Sequence, residues 1–397
     1  MTVELIDNLN DFKALEPDWN RLLESSSHPN PFMTFEWLLS CLEVFGESKG
    51  LFVAVVRDGD MIKGVAPLMI NDGRDLVFIG YPHNDYADFL IADNSPGVLE
   101  RLWRTILENS DRFARIVLDQ WQEEFSHWKE SCSLLDKLGK PYRLLLSDSC
   151  PAMVLDDVEE ARKKYYKRNI TTYVNWYAKQ GDFRFDTPED RNLVMARLED
   201  LFAQHIERRD QTPFPSQFND DRIKEFYRRF VGRLFDRGWL RLSMLTLNDE
   251  FLALYLSLPY RNKLYLYTTS FNGKYSKRSP GQVILRFLFD HAVEKQYEWM
   301  DFARGDEGYK DRFANRFYQN RKIIVYSSSL SKKAADWLHA ARYSKLADRL
   351  YRNKRVQTAK MTFLFFRRKE GLASGTTKAL GVLFEGKGKK AGGGGKN

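Results

Sequence analysis

Apolar positions along the chain fall into two kinds of run, short ones with strand character and longer ones with helical spacing. The first 25 residues read as a strand and then a helix, and PNPFMTFEWLLSCLE, residues 29–43, as a turn entering an amphipathic helix. In LFVAVVRDGDMIKGVAPLMI, residues 51–70, two β-branched apolar runs flank Asp58-Gly59, a dipeptide that readily adopts the positive φ of a tight hairpin. Short strands follow at 75–80 and 87–92, and helices at 95–108 and 125–138 enclose a strand at 115–120.

The same order of elements returns later. WLRLSMLTLNDEFLALYLSLPY, residues 239–260, is a second pair of apolar runs, about Asn248-Asp249, with Ala253 where the first pair has Gly64. A strand at 263–270, a helix at 282–295 and strands at 297–303 and 321–329 complete it, and long helical stretches at 158–180, 188–210 and 220–237 lie between. The alternation predicts an α/β (α+β) fold, and the weak likeness of the hairpins fits either a duplication or the resemblance that any two buried hairpins share. The expected division is 1–155, then 156–330 with a helical connector at 156–237, then a basic tail at 331–397. In that tail 332–355 has helical spacing around Trp337, MTFLFF precedes Arg367-Arg368-Lys369, and the Gly/Lys-rich end has the composition of a disordered segment.

Charge changes the picture only when it is divided. Of 62 Lys and Arg and 54 Asp and Glu, the segment 331–397 holds 17 and 4, leaving 45 against 50 for residues 1–330. A slightly acidic body argues against a nucleic-acid enzyme. The three cysteines, Cys41, Cys132 and Cys150, form no CxxC pair and read as buried free thiols, so neither a metal nor a disulfide framework is expected. With no leader-like or membrane-spanning run, the sequence reads as cytoplasmic. The basic tail reads as a peripheral contact with the inner membrane face, each Lys or Arg near an anionic bilayer contributing about 1 kcal/mol.

Three groups of residues could support chemistry. Lys277-Arg278-Ser279-Pro280-Gly281-Gln282 leads into an apolar-faced helix; a helix start offers unpaired N–H groups and a partial positive charge suited to a diphosphate, although the same residues also make an ordinary cap. Asp301, Arg304, Asp306, Tyr309 and Lys310 cluster after a strand, as an acid–base set or as a solvated, ion-paired turn. His83, Asp85, Tyr86 and Asp88 follow another strand; they are a poor transition-metal set and better suited to an acceptor cleft, to which His205 would be added, or to turn capping. The helix start ARKKYYKRN, residues 161–169, interleaves aromatic and basic residues, as polyanion binders and solvated helix faces both do.

Strand, basic glycine-containing loop, helix and strand, in that order, resemble the acyl-CoA pyrophosphate site of GNAT acyltransferases, with KRSPGQ as a variant of their basic-x-x-Gly loop. YEWMDFARGDEGYKDRF, residues 297–313, is similar to the D-F-x-R-G-D-x-x-Y-K segment of the CelD/BioF-like acyltransferase family, and PFMTFEW, GVAPL and FIGYPHNDYADF resemble the same family. The resemblance implies two tandem GNAT-like domains, each a mixed central sheet flanked by helices, distantly related to FemABX transferases. It implies acyl-CoA as donor and no metal, with transfer to an amine or hydroxyl of a small molecule or polysaccharide precursor, in a cell-envelope or exopolysaccharide setting. Lys277, Arg278, Ser279, Gly281 and Gln282 would hold the donor, and an amide near Leu256 or Ser257 would polarise its carbonyl. Asp301 or Asp306 would act as base, Tyr309 as proton donor to the thiolate, and Arg304 and Lys310 would neutralise charge. The alternatives are an aminoacyl-tRNA- or acyl-carrier-protein-dependent enzyme and a degenerate scaffold protein; no nucleic acid is expected under the main reading.

Overall fold

The computed structural model describes residues 1–46, 50–305, 307–328, 330–333, 359–365, 367 and 376–380. Asp306, Trp337 and the Gly/Lys-rich end, singled out in the sequence, lie outside the described residues. The chain divides into two compact units, one of 1–202 with 221–332, the other of 203–220 with 333–397. In the second unit the Ser216 hydroxyl caps a 3-10 turn, Gln217–Asn219, by accepting from the Phe218 N–H.

The first unit opens with β1 (Thr2–Ile6), α1 (Leu9–Ala14), α2 (Glu16–Glu24) and α3 (Phe35–Phe45). The Thr34 hydroxyl caps α3, accepting from the Trp37 N–H, and Phe35, Trp37 and Leu38 are buried. The first hairpin joins β2 (Gly50–Asp58) to β3 (Met61–Ile70), followed by β4 (Asp75–Phe78), β5 (Leu90–Ile91), α4 (Val98–Glu108), β6 (Arg115–Gln122), α5 (Trp128–Lys137) and β7 (Tyr142–Val154). Next come α6 (Val158–Tyr165), α7 (Arg168–Ala178), β8 (Phe183–Asp186), α8 (Arg191–Asp210) and α9 (Asp221–Asp236). The second hairpin joins β9 (Arg241–Leu247) to β10 (Glu250–Tyr260), followed by β11 (Lys263–Phe271), α10 (Pro280–Glu294), β12 (Trp299–Asp301) and β13 (Arg316–Val325).

The strands form one mixed sheet in the order β1-β2-β3-β4-β6-β13-β7-β12-β11-β10-β9-β8, with β5 beside β3. Matching β1, β2, β3, β4, β6 and β7 with β8, β9, β10, β11, β12 and β13 makes this order read identically from both ends. The match extends to connections: β4 and β6 are parallel across α4, and β11 and β12 are parallel across α10. At the centre the last strands are exchanged, so that β13 lies between β6 and β7 while β7 lies between β13 and β12. The predicted mixed α/β fold, with two similar halves of a mixed sheet flanked by helices, is therefore observed, its halves fused through an exchanged pair.

Each half buries one face of its sheet under its crossover helix. Val98, Leu102 and Ile106 of α4 pack with Phe52, Ala66 and Leu118, and Val283, Leu285 and Leu288 of α10 pack with Tyr255, Leu266 and Met300. Between the halves, Glu43 of α3 is 2.7 Å from Arg229 and 2.8 Å from Arg233 of α9, and although burial opposes it, those arginines hold its carboxyl below the usual value. These contacts set α9 against α3 on the sheet face opposite α10, where Trp37 packs on Phe226 and Phe230.

Candidate active site

β11 and β12 run side by side for three pairs, ending at Tyr265 opposite Asp301. Beyond that pair β12 stops while β11 continues to Phe271, and the parallel strands part. Side chains alternate between faces. Met300 and Phe302 therefore join the core under α10, whereas Asp301 and Tyr265 point to the face holding Tyr86.

Asp301 is 2% exposed. Its Oδ1 accepts from the Tyr86 hydroxyl at 2.7 Å and from the Ala303 N–H at 2.8 Å. Burial pushes its pKa up, against the opposing pull of those donors and of Lys263 and Lys310. Tyr86, buried beside this carboxylate, is pushed well above its usual range, so the shared proton stays on the phenol.

Asp85 forms a second buried centre. Arg304 Nε lies 2.8 Å from its Oδ1, Arg304 Nη1 lies 3.7 Å from Asp148, and Arg304 Nη2 donates to the Pro82 carbonyl at 2.6 Å. Burial pushes Asp85 up to about 6, with Arg304 and Lys310 offsetting part of the rise. Lys310, 6% exposed, donates to the Arg304 carbonyl at 2.7 Å and lies 2.9 Å from Glu307. Arg304 and Lys310 are thus ion-paired, and both are turned into the protein. Tyr309 is on the other side of the sheet, against the α10 core and hydrogen-bonded to Tyr255.

At the start of α10, Ser279 is the N-cap residue with φ of +45°, and its side chain makes no cap hydrogen bond. A non-glycine residue held left-handed costs on the order of 1 kcal/mol or more, and such residues cluster at ligand clamps. The Ser279 carbonyl accepts from the N–H groups of Gln282 and Val283, leaving the Gly281 N–H without a partner among the described residues. A Cβ on Gly281 would come within 3.3 Å of the Phe271 ring. The Arg278 guanidinium lies 4.8 Å from the Trp176 ring centroid and 6.0 Å from that of Tyr173, and Lys277 is exposed. These residues offer an anionic group an open amide at a helix start and two cations.

Leu256 and Ser257 are buried in β10 at a register shift against β11, which leaves Tyr267 unmatched. The parting of parallel strands is one strand over, between β11 and β12. Asp88 serves a loop, its carboxylate accepting from the His127 N–H at 3.2 Å and lying 2.8 Å from His127 Nδ1. His83 stacks on Phe45, with ring centroids 4.8 Å apart. His205 belongs to the second unit, where its Nδ1 is 2.7 Å from Ser216 Oγ.

Sequence reasoning missed the supports of Asp85. Asn320, fully buried in β13, donates to the Asp85 carbonyl at 2.8 Å and to Gln120 Oε1 at 2.6 Å, and Gln120 donates to Asp148 at 2.7 Å. Lys263 and Tyr265, which flank the strand pair leading to Asp301, were missed as well. No local motif marks any of them: the strand exchange brings Asn320, Gln120 and Asp148 together, and the pairing of β11 with β12 brings Lys263 and Tyr265 to Asp301.

Residues 164–311 match the family model described as an acetyltransferase (GNAT) domain. No curated protein matches the sequence. Among solved structures the chain is similar to FemX, with 12% identity, a TM-score of 0.52, and 80% of this chain and 96% of that one covered. It is also similar to L-PGS from Bacillus licheniformis, with 13% identity, a TM-score of 0.53, and 82% and 95% covered. The C-terminal domain of a putative lysylphosphatidylglycerol synthetase from Agrobacterium fabrum gives 11%, 0.53, and 83% and 97%. Residues 164–311 thus match a GNAT domain, and the fold of the chain is shared with these three structures.

Proposed function

We propose that the chain is an acyltransferase that takes its acyl group from acyl-CoA and passes it to an amine or hydroxyl of a small molecule or glycan precursor. The observation behind this reading is the parting of β11 and β12 directly after Tyr265 and Asp301, with α10 beginning just beyond β11. The donor's diphosphate would lie against Lys277, Arg278 and the Gly281 amide at the positive end of α10. Its thioester would reach into the gap, where an amide of β11 beyond Tyr265, in place of one near Leu256 or Ser257, would polarise the carbonyl. Asp301 then accepts the proton of the attacking amine on one face, and Tyr309 on the α10 face supplies a proton to the departing thiolate. Arg304 and Lys310 hold the loop between them and balance Asp85.

Acyl-CoA is favoured over tRNA because the basic residues of α6 are already engaged. Arg162 pairs with Glu159 at 3.3 Å, Lys163 pairs with Glu160, and Lys164 donates to the Ala314 carbonyl. Among the described residues no helix is long and apolar enough to cross a membrane, and any membrane role of 331–397 stands as part of the proposal.

Thermal shift with coenzyme A and acetyl-CoA tests the donor. A ligand at 100 times its Kd stabilises by about 2.7 kcal/mol, a rise of a few degrees for a chain of this size. Arg278→Ala should remove most of it. Absence of protection by any CoA thioester, with protection by charged tRNA instead, would overturn the assignment.

A further inference from the structure

On the Tyr265 face of β11 lies a pocket of about 280 Å³, walled by Phe125, Tyr260, Tyr265 and Trp299 and reached by Lys263 and His28. The Lys263 ammonium sits 4.4 Å from the Phe125 ring centroid and 4.6 Å from that of Trp299. Among the described residues it has no hydrogen-bond or ion-pair partner. Contact with aromatic faces returns about 0.5–2 kcal/mol, less than a buried ammonium loses in hydration. Burial accordingly lowers its pKa, with Asp301 and Glu298 only partly opposing.

The other polar groups narrow what could satisfy it. Arg261 is engaged, donating to the Leu23 and Glu24 carbonyls at 3.3 and 2.8 Å. His28 has a buried Nδ1 without a partner, and its ring lies 5.7 Å from that of His127, which Asp88 holds. Burial lowers the pKa of His28, so near neutral pH it offers a neutral hydrogen bond and no second charge. Aromatic faces on one side, and the amides of Asn30, Gln122 and Asn262 beside one free cation and one neutral ring nitrogen, suit a monoanion with a planar body. The volume lies just below the range of drug-sized sites and suits a single ring or an amino-acid-sized molecule.

We propose that this pocket binds a small organic carboxylate, its anion on Lys263 and its body between Phe125, Trp299 and Tyr265. Lys263 and Asp301 lie on one sheet face, two positions apart along paired strands, so a ligand held there sits beside the fork. Resting on the transferase reading above, the pocket then selects acceptors that carry a carboxylate next to the attacking group.

Benzoate is a suitable probe for isothermal titration of the full chain, with benzamide as its neutral counterpart and inorganic phosphate as competitor. Saturable benzoate binding is expected, roughly tenfold weaker in Lys263→Met, largely kept in Lys263→Arg, and roughly tenfold stronger than benzamide binding. The acetyl-CoA thermal shift should be the same in Lys263→Met as in the parent, which reports on folding and on the donor site separately. Equal benzoate binding in the parent and a folded Lys263→Met, or no benzoate binding at all, overturns the proposal. Displacement by phosphate at equal concentration overturns the choice of a carboxylate. Should Lys263→Met fail to fold, the benzoate–benzamide difference in the parent decides. Charge-selective benzoate binding without any acetyl-CoA shift would sink the transferase reading and leave the pocket standing.

Discussion

Asp301 and Asp85 are both buried carboxylates, yet one is held by neutral donors and the other by a guanidinium. Burial raises both, Asp85 to about 6 with Arg304 offsetting part of the rise and Asp301 against the pull of its phenol and amide donors, but among the described residues only Asp85 is tied into an ion pair. Asp301→Asn keeps an acceptor for Tyr86 and Ala303, so the expected outcome is a loss in turnover of about 10²-fold or more with little change in Tm. Tyr86→Phe gives a sharper readout. The phenol's hydrogen bond lowers the Asp301 pKa, so removing it raises that pKa further. The acid limb of the pH–rate profile should then move to higher pH, and an unmoved limb would show that Asp301 is not the base. In the second unit, burial and the nearby Arg208 and Arg209 push His205 down to about 3. A base whose pKa is depressed on folding contributes stability that is complete above 6.5 and is lost as pH falls toward 3. The loss should reach about 2 kcal/mol by pH 5. His205→Gln can still bond Ser216, and calorimetry from pH 7 to 5 should show a shallower fall in Tm for the variant.

The elements make clear what the sequence could convey. Both hairpins stand where Asp58-Gly59 and Asn248-Asp249 put them, and Asn248 and Asp249 have the positive φ that a tight turn demands. Each hairpin also has a bulge at the same place in its second strand, with Lys63 unmatched before Gly64 and Leu252 unmatched before Ala253. This shared irregularity supports the duplication more strongly than the weak sequence likeness. The small residues have different neighbours: a Cβ on Gly64 would meet Val98 Cγ1 of α4 at 2.3 Å, whereas the second copy accommodates alanine. Val98 is β-branched and stiff, so Gly64→Ala should cost about 1–3 kcal/mol, a fall of several degrees in Tm. Relief of that fall in the double variant with Val98→Ala would confirm its steric origin. β7 was not legible, because its first eight residues are only half-buried or exposed and lack an apolar alternation. The helical stretch 158–180 breaks at Lys167, whose extended ψ of 147° has no proline or glycine to announce it.

At the scale of the molecule the decisive feature is the exchanged pair at the centre of the sheet, which no local pattern encodes. Hydrophobic spacing reports which face of a strand is buried and not which strand lies beside it. The exchange places Asn320 of β13 under Asp85 and sets β7 beside β12, where Ala152 pairs with Asp301. The site therefore depends on both repeats. A cut between Leu155 and Asp156 would separate the repeats in sequence while leaving each without the strand that completes its sheet. A fragment 1–155 lacks β13 between β6 and β7, and a fragment 156–397 lacks β7 between β12 and β13, so each exposes long unpaired edges. Expressed alone, each should aggregate or fail to unfold cooperatively. Expressed together, they should form a 1:1 complex with one thermal transition and the acetyl-CoA shift of the intact chain. A monomeric 1–155 fragment with its own sharp transition would show that the first half folds without the exchange, and the repeat would then be an ordinary tandem pair.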